Sequence, residues 1–117
     1  MPDDRFPIEL VHGMPVVSVP EEIDATNVSD LRTALLKAAA NGSGTLVADM
    51  SRTRFCDSSG VHALVAAHKR AKAEGGELLL VSCGAAVLRI LAITGIDRVI
   101  PNFTSLADAL AHVTGPS

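Results

Sequence analysis

Aromatic residues are nearly absent from this 117-residue chain, which has no tryptophan or tyrosine and only three phenylalanines. A platform on which nucleic-acid bases stack needs several such rings, so the composition argues against that kind of site. The core must instead be aliphatic, and hydrophobic residues make up 48% of the chain. That content is enough to fill one core, and the length is that of one domain.

An excess of positive charge is also lacking, because the sequence has 10 lysines and arginines but 13 aspartates and glutamates. Proteins that bind nucleic acids or anionic membranes through charge carry basic patches. No stretch of the sequence reaches the roughly 18 apolar residues of a membrane span. The acidic N-terminus, MPDDRFP, lacks the apolar run of a signal peptide. We therefore expect a soluble, cytoplasmic protein that binds neither nucleic acid nor membrane.

Cysteine is scarce, with Cys56 and Cys83 as the two examples in the sequence. Two cysteines are too few for a disulfide framework, and their spacing is not that of a zinc site. Each follows a predicted strand, so they could lie close together if those strands are neighbours. A redox pair and a pair of small buried side chains are both compatible with this pattern.

The sequence does contain short apolar runs typical of strands, and these alternate with segments whose apolar residues have helical spacing. β-Branched runs at residues 8–12 and 16–19 flank residues 13–15 and predict a hairpin. The elements that follow are predicted as a helix (28 to about 40), strand (46–50), helix (58 to about 74), strand (78–81), helix (86–94), short strand or bend (98–100) and helix (105 to about 113). This order predicts an α/β fold whose mixed sheet has parallel central strands, with helices mainly on one side. Residues 1–7 and 114–117 are expected to be flexible ends of a domain spanning 8–113.

The most informative segment, residues 49–60, places a carboxylate and two hydroxyls where a helix begins after a central strand. These are Asp57, Ser58 and Ser59. A helix N-terminus has free N–H groups and a positive dipole end, so it tolerates a phosphate or another anion. A hydroxyl at that position would be exposed on a rigid element. The simpler interpretation is that Asp57 or Ser58 is an N-cap, which contributes about 1 kcal/mol.

Histidines near this segment do not complete a catalytic or metal site. His62 lies one turn after Ser58 on the same helix, where it is too constrained to act as a general base with its own orienting acid. A Gly-x-Ser-x-Gly elbow is also missing from the sequence. His62 and His68 are six residues apart, about 240° around a helix, so they cannot share a metal ion. We expect neither an enzyme nor a metal site.

Four separated motifs carry a further signal. They are Glu22-Ile23-Asp24, the segment 46–64 with its Asp57-Ser58-Ser59-Gly60, the run Gly75-Gly76-Glu77-Leu78, and Leu91-Ala-Ile-Thr-Gly95-Ile96. In this order and over about residues 8–113, they resemble the bacterial anti-sigma factor antagonists of the STAS domain family. The resemblance implies a STAS-type single domain.

The resemblance also implies a non-catalytic switch. In this family the unphosphorylated domain binds an anti-sigma factor that is also a serine kinase, and so frees the sigma factor in partner switching, often during stress responses. The kinase phosphorylates the first hydroxyl residue after the aspartate, which here is Ser58, and a serine phosphatase resets it. The residues expected to support the phosphosite or bind the partner are Glu22, Asp24, Asp57, Ser59, Gly60 and His62. ATP and Mg²⁺ belong to the kinase, so we expect the chain to need no cofactor of its own. We also expect it to be a monomer.

Two positions depart from the family pattern, and one alternative function stays open. Glu21 and His62 stand where the family often has glycine, and both lie near the expected contact surface, residues 21–27 and the helix that begins at Ser58. They bear on partner identity more than on fold. The alternative is a STAS sensing or scaffold module that reversibly binds a nucleotide or an anion at the N-terminus of that helix.

Overall fold

A computed structural model of the chain describes residues 6–40 and 44–114, the side chain of residue 114 excepted. The elements in these ranges are β1 (Ile8–Val11), β2 (Met14–Ser18), β3 (Glu22–Ile23), α1 (Val28–Ala39), β4 (Leu46–Asp49), β5 (Phe55–Cys56), α2 (Ser58–Ala73), β6 (Leu78–Val81), α3 (Ala85–Thr94), a 3-10 helix (Ile96–Arg98), β7 (Asn102–Phe103) and α4 (Leu106–Thr114). The main sheet has the strand order β1-β2-β4-β6-β7. β1 pairs with β2 antiparallel, and every later pairing in this sheet is parallel. The predicted α/β class with a mixed sheet is confirmed.

The central strands β4 and β6 are apolar, except for Asp49 at the end of β4, because both faces of the sheet are covered. Alternate side chains of a strand point to opposite faces. Leu46, Ala48, Leu78 and Leu80 therefore join the core beneath α1, α2 and α3. Val47, Leu79 and Val81 join a smaller core with Ala109 of α4 on the other face. The helices thus lie mainly on one side, as predicted, with α4 alone on the other side in the described part of the chain.

The turn of the opening hairpin is shorter than predicted. His12 and Gly13 form the connection, with φ angles of 52° and 81°, and β2 already begins at Met14. A two-residue loop with both φ angles positive matches the right-handed twist of the strands that it joins. The placement of the turn at residues 13–15 was therefore wrong for Met14 and Pro15, which both lie in β2 and are buried.

A second sheet, made of β3 and β5, is the largest departure from the predicted order. Each strand has two residues, and the two run parallel, with Glu22 opposite Phe55 and Ile23 opposite Cys56. Elements of this length produce no periodicity that a sequence pattern can detect. The turn before β5 is held by Thr53, whose hydroxyl donates to the carbonyl oxygens of Val19 (3.2 Å) and Pro20 (3.0 Å).

The C-terminal part agrees with the predicted cap but differs in the position of its strand. The Ser105 hydroxyl accepts a hydrogen bond from the Asp108 amide at 3.1 Å, as the sequence predicts for the start of α4. Residues 98–100, predicted as a short strand or bend, contain the end of a 3-10 helix followed by a turn and a bend, so the strand alternative is wrong and the bend is confirmed at Ile100. The strand begins after Pro101, whose carbonyl oxygen accepts from the Leu80 amide at 2.9 Å.

The N-terminal boundary of the ordered domain lies earlier than predicted. Phe6 is only 4% exposed and packs in the main core, and the Pro7 carbonyl accepts a hydrogen bond from the Ser18 amide at 3.0 Å. The expectation of a flexible segment is therefore wrong for these two residues. The predicted C-terminal segment began at residue 114, but that residue belongs to α4. The rest of the two predicted segments, residues 1–5 and 115–117, lies outside the described residues. Among the helices in the described ranges, none has the length and apolarity needed to cross a membrane.

Candidate functional site

Asp57 is the N-cap of α2. Its carboxylate accepts hydrogen bonds from the amides of Ser59 (3.0 Å) and Gly60 (3.2 Å), and its carbonyl oxygen accepts from the Val61 amide at 3.1 Å. The sequence was compatible with either Asp57 or Ser58 as the N-cap, and in the structure the N-cap is Asp57. These three amides are therefore occupied from within the chain and are not available to a bound anion. This arrangement disfavours the alternative of a nucleotide or anion site at the helix end.

The two hydroxyls at this helix start differ in their surroundings. The Ser59 hydroxyl donates to the Asp57 carboxylate at 2.5 Å, and its side chain is half-buried. Ser58 is exposed, and its hydroxyl has no hydrogen-bond partner among the described residues. Position alone did not separate the two serines, but the hydrogen bonding does. Ser58 is the hydroxyl that a second protein can reach without breaking the cap.

The pairing of β3 with β5 brings the loop after β3 to the start of α2. The Asp57 amide donates to the Ile23 carbonyl at 3.2 Å across this small sheet. In the loop, the Asn27 side chain donates to the Glu22 carbonyl at 2.8 Å, and its oxygen accepts from the Asp24 amide at 3.1 Å. The predicted residues Glu22, Asp24 and Asp57 thus lie at one end of the fold.

Asp24 is held in an ionised form beside Asp57. Its carboxylate accepts hydrogen bonds from the hydroxyl and the amide of Thr26. These bonds, the hydroxyl first, lower the pKa of Asp24, and the opposing influence of the Asp57 charge is smaller. The start of α2 is therefore flanked by two carboxylates that are both negative at neutral pH.

We expect replacement of Asp57 by alanine to lower the melting temperature at neutral pH, and the loss to shrink in acid. The Ser59 hydroxyl and then the Gly60 amide lower the pKa of Asp57, with a smaller opposing effect of burial. A carboxyl group whose pKa is lower in the folded state stabilises the fold at pH values above its ordinary pKa of about 3.9. That stabilisation disappears as the pH falls through the lowered value.

Thermal melts of the wild type and the Asp57→Ala variant between neutral and acidic pH test this expectation. Asp57→Asn is the matched control, because asparagine caps a helix as well as aspartate does but does not titrate. A difference in melting temperature between wild type and Asp57→Ala that stays constant into the acid range would contradict it.

Gly60 allows α2 to approach the small sheet closely. A Cβ atom at this position would lie 2.5 Å from the Cys56 sulfur and 2.6 Å from Cγ2 of Ile23. Both neighbours are essentially buried, with exposed fractions of 2% and 0%. A methyl group would therefore force α2 away from β3 and β5. The glycine in the motif is required by packing in this structure.

We expect Gly60→Ala to reduce the free energy of unfolding by about 1–3 kcal/mol, the usual cost of overpacking a dense core. Denaturant unfolding measures this loss. Gly84→Ala is the control, since the nearest atom to a Cβ there is 3.9 Å away. A loss at Gly60 no larger than the loss at Gly84 would show that the small sheet yields to the methyl group.

A groove between α1 and α2 is lined in part by Ser59. It has a volume of about 230 Å³, and its lining includes Ser29 and Arg32 of α1 with Ser59 and His62 of α2. His62, predicted near the contact surface, is exposed on this face. Neither Ser29 nor Arg32 was predicted from the sequence as part of the site. Their spacing of three residues on a predicted helix was visible, but which helix faces α2 depends on the tertiary fold.

The remaining candidate cysteines and histidine lie in or beside the core. Cys56 is buried and Cys83 half-buried, and both are free thiols packed against the main core. Burial raises the pKa of each thiol to about 11, so both are protonated and weakly nucleophilic at neutral pH. His68 is buried in α2, away from the exposed His62. Within the described ranges, no group of three or more histidine, cysteine or acidic residues could hold a metal ion.

Comparisons with known proteins agree with this geometry. The family model of the STAS domain matches residues 5–109. The anti-sigma-F factor antagonist RsfB of Mycobacterium tuberculosis is 29% identical over 104 residues, which are 89% of this chain and 84% of RsfB. The crystal structure of an anti-sigma factor antagonist from Mycobacterium paratuberculosis is 33% identical, with a TM-score of 0.84 over 93% of this chain and 92% of that chain. The unphosphorylated anti-sigma factor antagonist SpoIIAA is 23% identical, with a TM-score of 0.79 over 96% of this chain and 98% of that chain. Bacillus SpoIIAA has also been solved in a phosphorylated form, which is 22% identical, with a TM-score of 0.69 over 92% of this chain and 98% of that chain.

Proposed function

Because the chain belongs to the STAS domain family, we propose that it is an anti-sigma factor antagonist and that phosphorylation of Ser58 switches its partner binding off. The unphosphorylated chain binds an anti-sigma factor with serine kinase activity and thereby frees a sigma factor in the cytoplasm. The kinase transfers phosphate from ATP to Ser58, and a serine phosphatase removes it. The chain acts by binding and not by catalysis, and ATP and Mg²⁺ belong to the kinase.

The observation that carries this proposal is the contrast between the two serines at the start of α2. Ser58 is exposed, and its hydroxyl makes no hydrogen bond in the described part of the chain. Ser59 holds the carboxylate that caps the helix. A kinase needs a hydroxyl that enters its active site without unfolding the substrate, and Ser58 meets that need. SpoIIAA, which has the same fold, is found in a phosphorylated and an unphosphorylated form.

The partner surface that we propose consists of the N-terminal half of α2 and residues 21–27. These two segments are joined by the β3–β5 pairing and by the hydrogen bond from the Asp57 amide to Ile23. Asp24 and Asp57 make this surface acidic, so the facing surface of the anti-sigma factor should be basic or rich in hydrogen-bond donors. Phe55, which is 49% exposed beside them, offers an apolar contact.

The switch that we propose is electrostatic. A phosphate adds about −1.5 to −2 charges at neutral pH, and Ser58 lies next to two carboxylates that already carry negative charge. The phosphorylated surface must either lose the hydration of a dianion in the interface or face the partner with a concentrated negative charge. Both outcomes weaken the complex while the core of the domain stays unchanged.

The experiment that tests the antagonist role is a binding measurement. The anti-sigma factors of the organism that encodes this chain are purified, and each is titrated with the unphosphorylated chain by calorimetry. We expect at least one to form a stoichiometric complex, which Asp24→Lys and Asp57→Asn weaken and a Lys69→Ala substitution on the distant part of α2 does not. Absence of a complex with every anti-sigma factor would refute the proposal.

A further inference from the structure

The groove between α1 and α2 is lined by a positively charged side chain, Arg32, which has no role in the switch proposed above. Arg32 from α1 and His62 from α2 both line it, together with Ser29 and Ser59. In the described ranges neither Arg32 nor His62 takes part in an ion pair. Arg32 and His62 therefore converge on one groove, and neither has an anionic partner among the residues that the structure describes.

A phosphate on Ser58 would need such partners. The amides of Ser59 and Gly60 already donate to Asp57, so the first turn of α2 has few donors left for the phosphate. The helix dipole supplies only about +0.5 charge, against about −1.5 to −2 for the phosphate. Asp24 and Asp57 add repulsion on the side of the small sheet. The phosphate is therefore driven toward positive charge on the other side.

We propose that the phosphate on Ser58 is held against the groove by Arg32 and His62, which together form a phosphoserine clamp within the domain. His62 follows Ser58 by four residues, so the two side chains are neighbours on one face of α2. Arg32 lines the same groove from α1, and a guanidinium can donate two parallel hydrogen bonds to phosphate oxygens. This proposal rests on the proposed function only in taking Ser58 as the residue that carries phosphate.

The clamp changes what phosphorylation does to the partner surface. The bound phosphate fixes the Arg32 and His62 side chains and occupies part of the groove, so a partner group can no longer enter that part as it could in the unphosphorylated form. Phosphorylation then alters the shape of the α1–α2 face in addition to its charge. The clamp also offsets part of the repulsion between the phosphate and the two carboxylates, which keeps the phosphorylated domain folded.

The test uses the full chain with phosphoserine incorporated at position 58 during translation, so that no kinase is needed. The second ionisation of the phosphate, near pH 6 for free phosphoserine, is followed by ³¹P NMR as the pH is varied. Removing a neighbouring positive charge disfavours the dianion, so Arg32→Gln should raise the phosphate pKa by about one unit. Arg89→Gln, on an exposed position of α3 away from the groove, is the control and should leave the phosphate pKa unchanged.

A second measurement in the wild-type chain avoids any dependence on the folding of a variant. The ¹⁵Nε resonance of Arg32 should shift when position 58 carries phosphoserine, whereas that of Arg89 should not. Equal phosphate pKa values in wild type and Arg32→Gln, together with an unmoved Arg32 resonance, would overturn the clamp. That result would leave the proposed function intact, because these measurements involve neither a kinase nor an anti-sigma factor.

Discussion

Replacing Ser58 with alanine will abolish the incorporation of phosphate by the cognate anti-sigma kinase and leave partner binding intact. The Ser58 hydroxyl is exposed and free of hydrogen bonds in the described part of the chain, so its removal takes away the acceptor without disturbing the Asp57 cap. The measurement is the intact mass of the wild type and the variant after incubation with the kinase and ATP. The wild type should gain one phosphoryl group and Ser58→Ala none.

Ser59→Ala is the matched control for this result. The Ser59 hydroxyl donates to the Asp57 carboxylate, but the cap keeps the Ser59 and Gly60 amides as donors when that hydroxyl is lost. The variant should therefore still become phosphorylated, on Ser58. Phosphopeptide mapping that places the label on Ser59 in the wild type would contradict the assignment.

Phosphorylation of Ser58 will lower the affinity for the anti-sigma factor by roughly 10-fold or more, which corresponds to about 1.4 kcal/mol. The phosphate brings its charge beside Asp24 and Asp57, and burying or opposing that charge in an interface costs several times this amount when no partner group compensates it. Calorimetric titration of one anti-sigma factor with the two forms of the chain measures the difference.

The same phosphorylation should change the melting temperature little. Ser58 lies on the surface at the start of α2, and none of the buried residues of the main core depends on its side chain. Circular dichroism of both forms is therefore part of the experiment. A phosphorylated form that has lost helical signal would show that the switch works by unfolding and not through the interface.

The fold was predictable because its central strands are short apolar runs and its helices are long enough to show helical spacing of their apolar residues. Residues 46–48 and 78–81 are continuous apolar runs, as expected for strands covered on both faces. The predicted bounds of α2 and α3 differ from the observed ones by only about a residue, a discrepancy within the ordinary uncertainty of helix ends. Gly95, with a φ of 79°, ends α3 as the sequence indicates.

The parts that were missed depend on tertiary contacts. The small sheet of β3 and β5 has two residues in each strand, and the turn before β5 is held by Thr53 hydrogen bonds that span 34 and 33 residues of sequence. Phe6 packs in the main core, although it lies in the segment that the sequence predicted as flexible. No local sequence pattern predicts the small sheet or the burial of Phe6.

The candidate site shows the same division. Asp57, Ser58 and Ser59 were placed at a helix start by sequence, and the structure bears out that position. Which serine is free and which is tied to the cap follows from hydrogen-bond geometry, and Arg32 joins the site only because α1 packs against α2.

The most direct test of the switch is the release of a sigma factor from its preformed complex with the cognate anti-sigma factor. The fraction of free sigma factor is measured by size-exclusion chromatography after addition of the unphosphorylated chain, or of the chain carrying phosphoserine at position 58. The account predicts release by the unphosphorylated chain and little or none by the phosphorylated one. Equal release by both forms would contradict the switch, and release by neither would contradict the antagonist role itself.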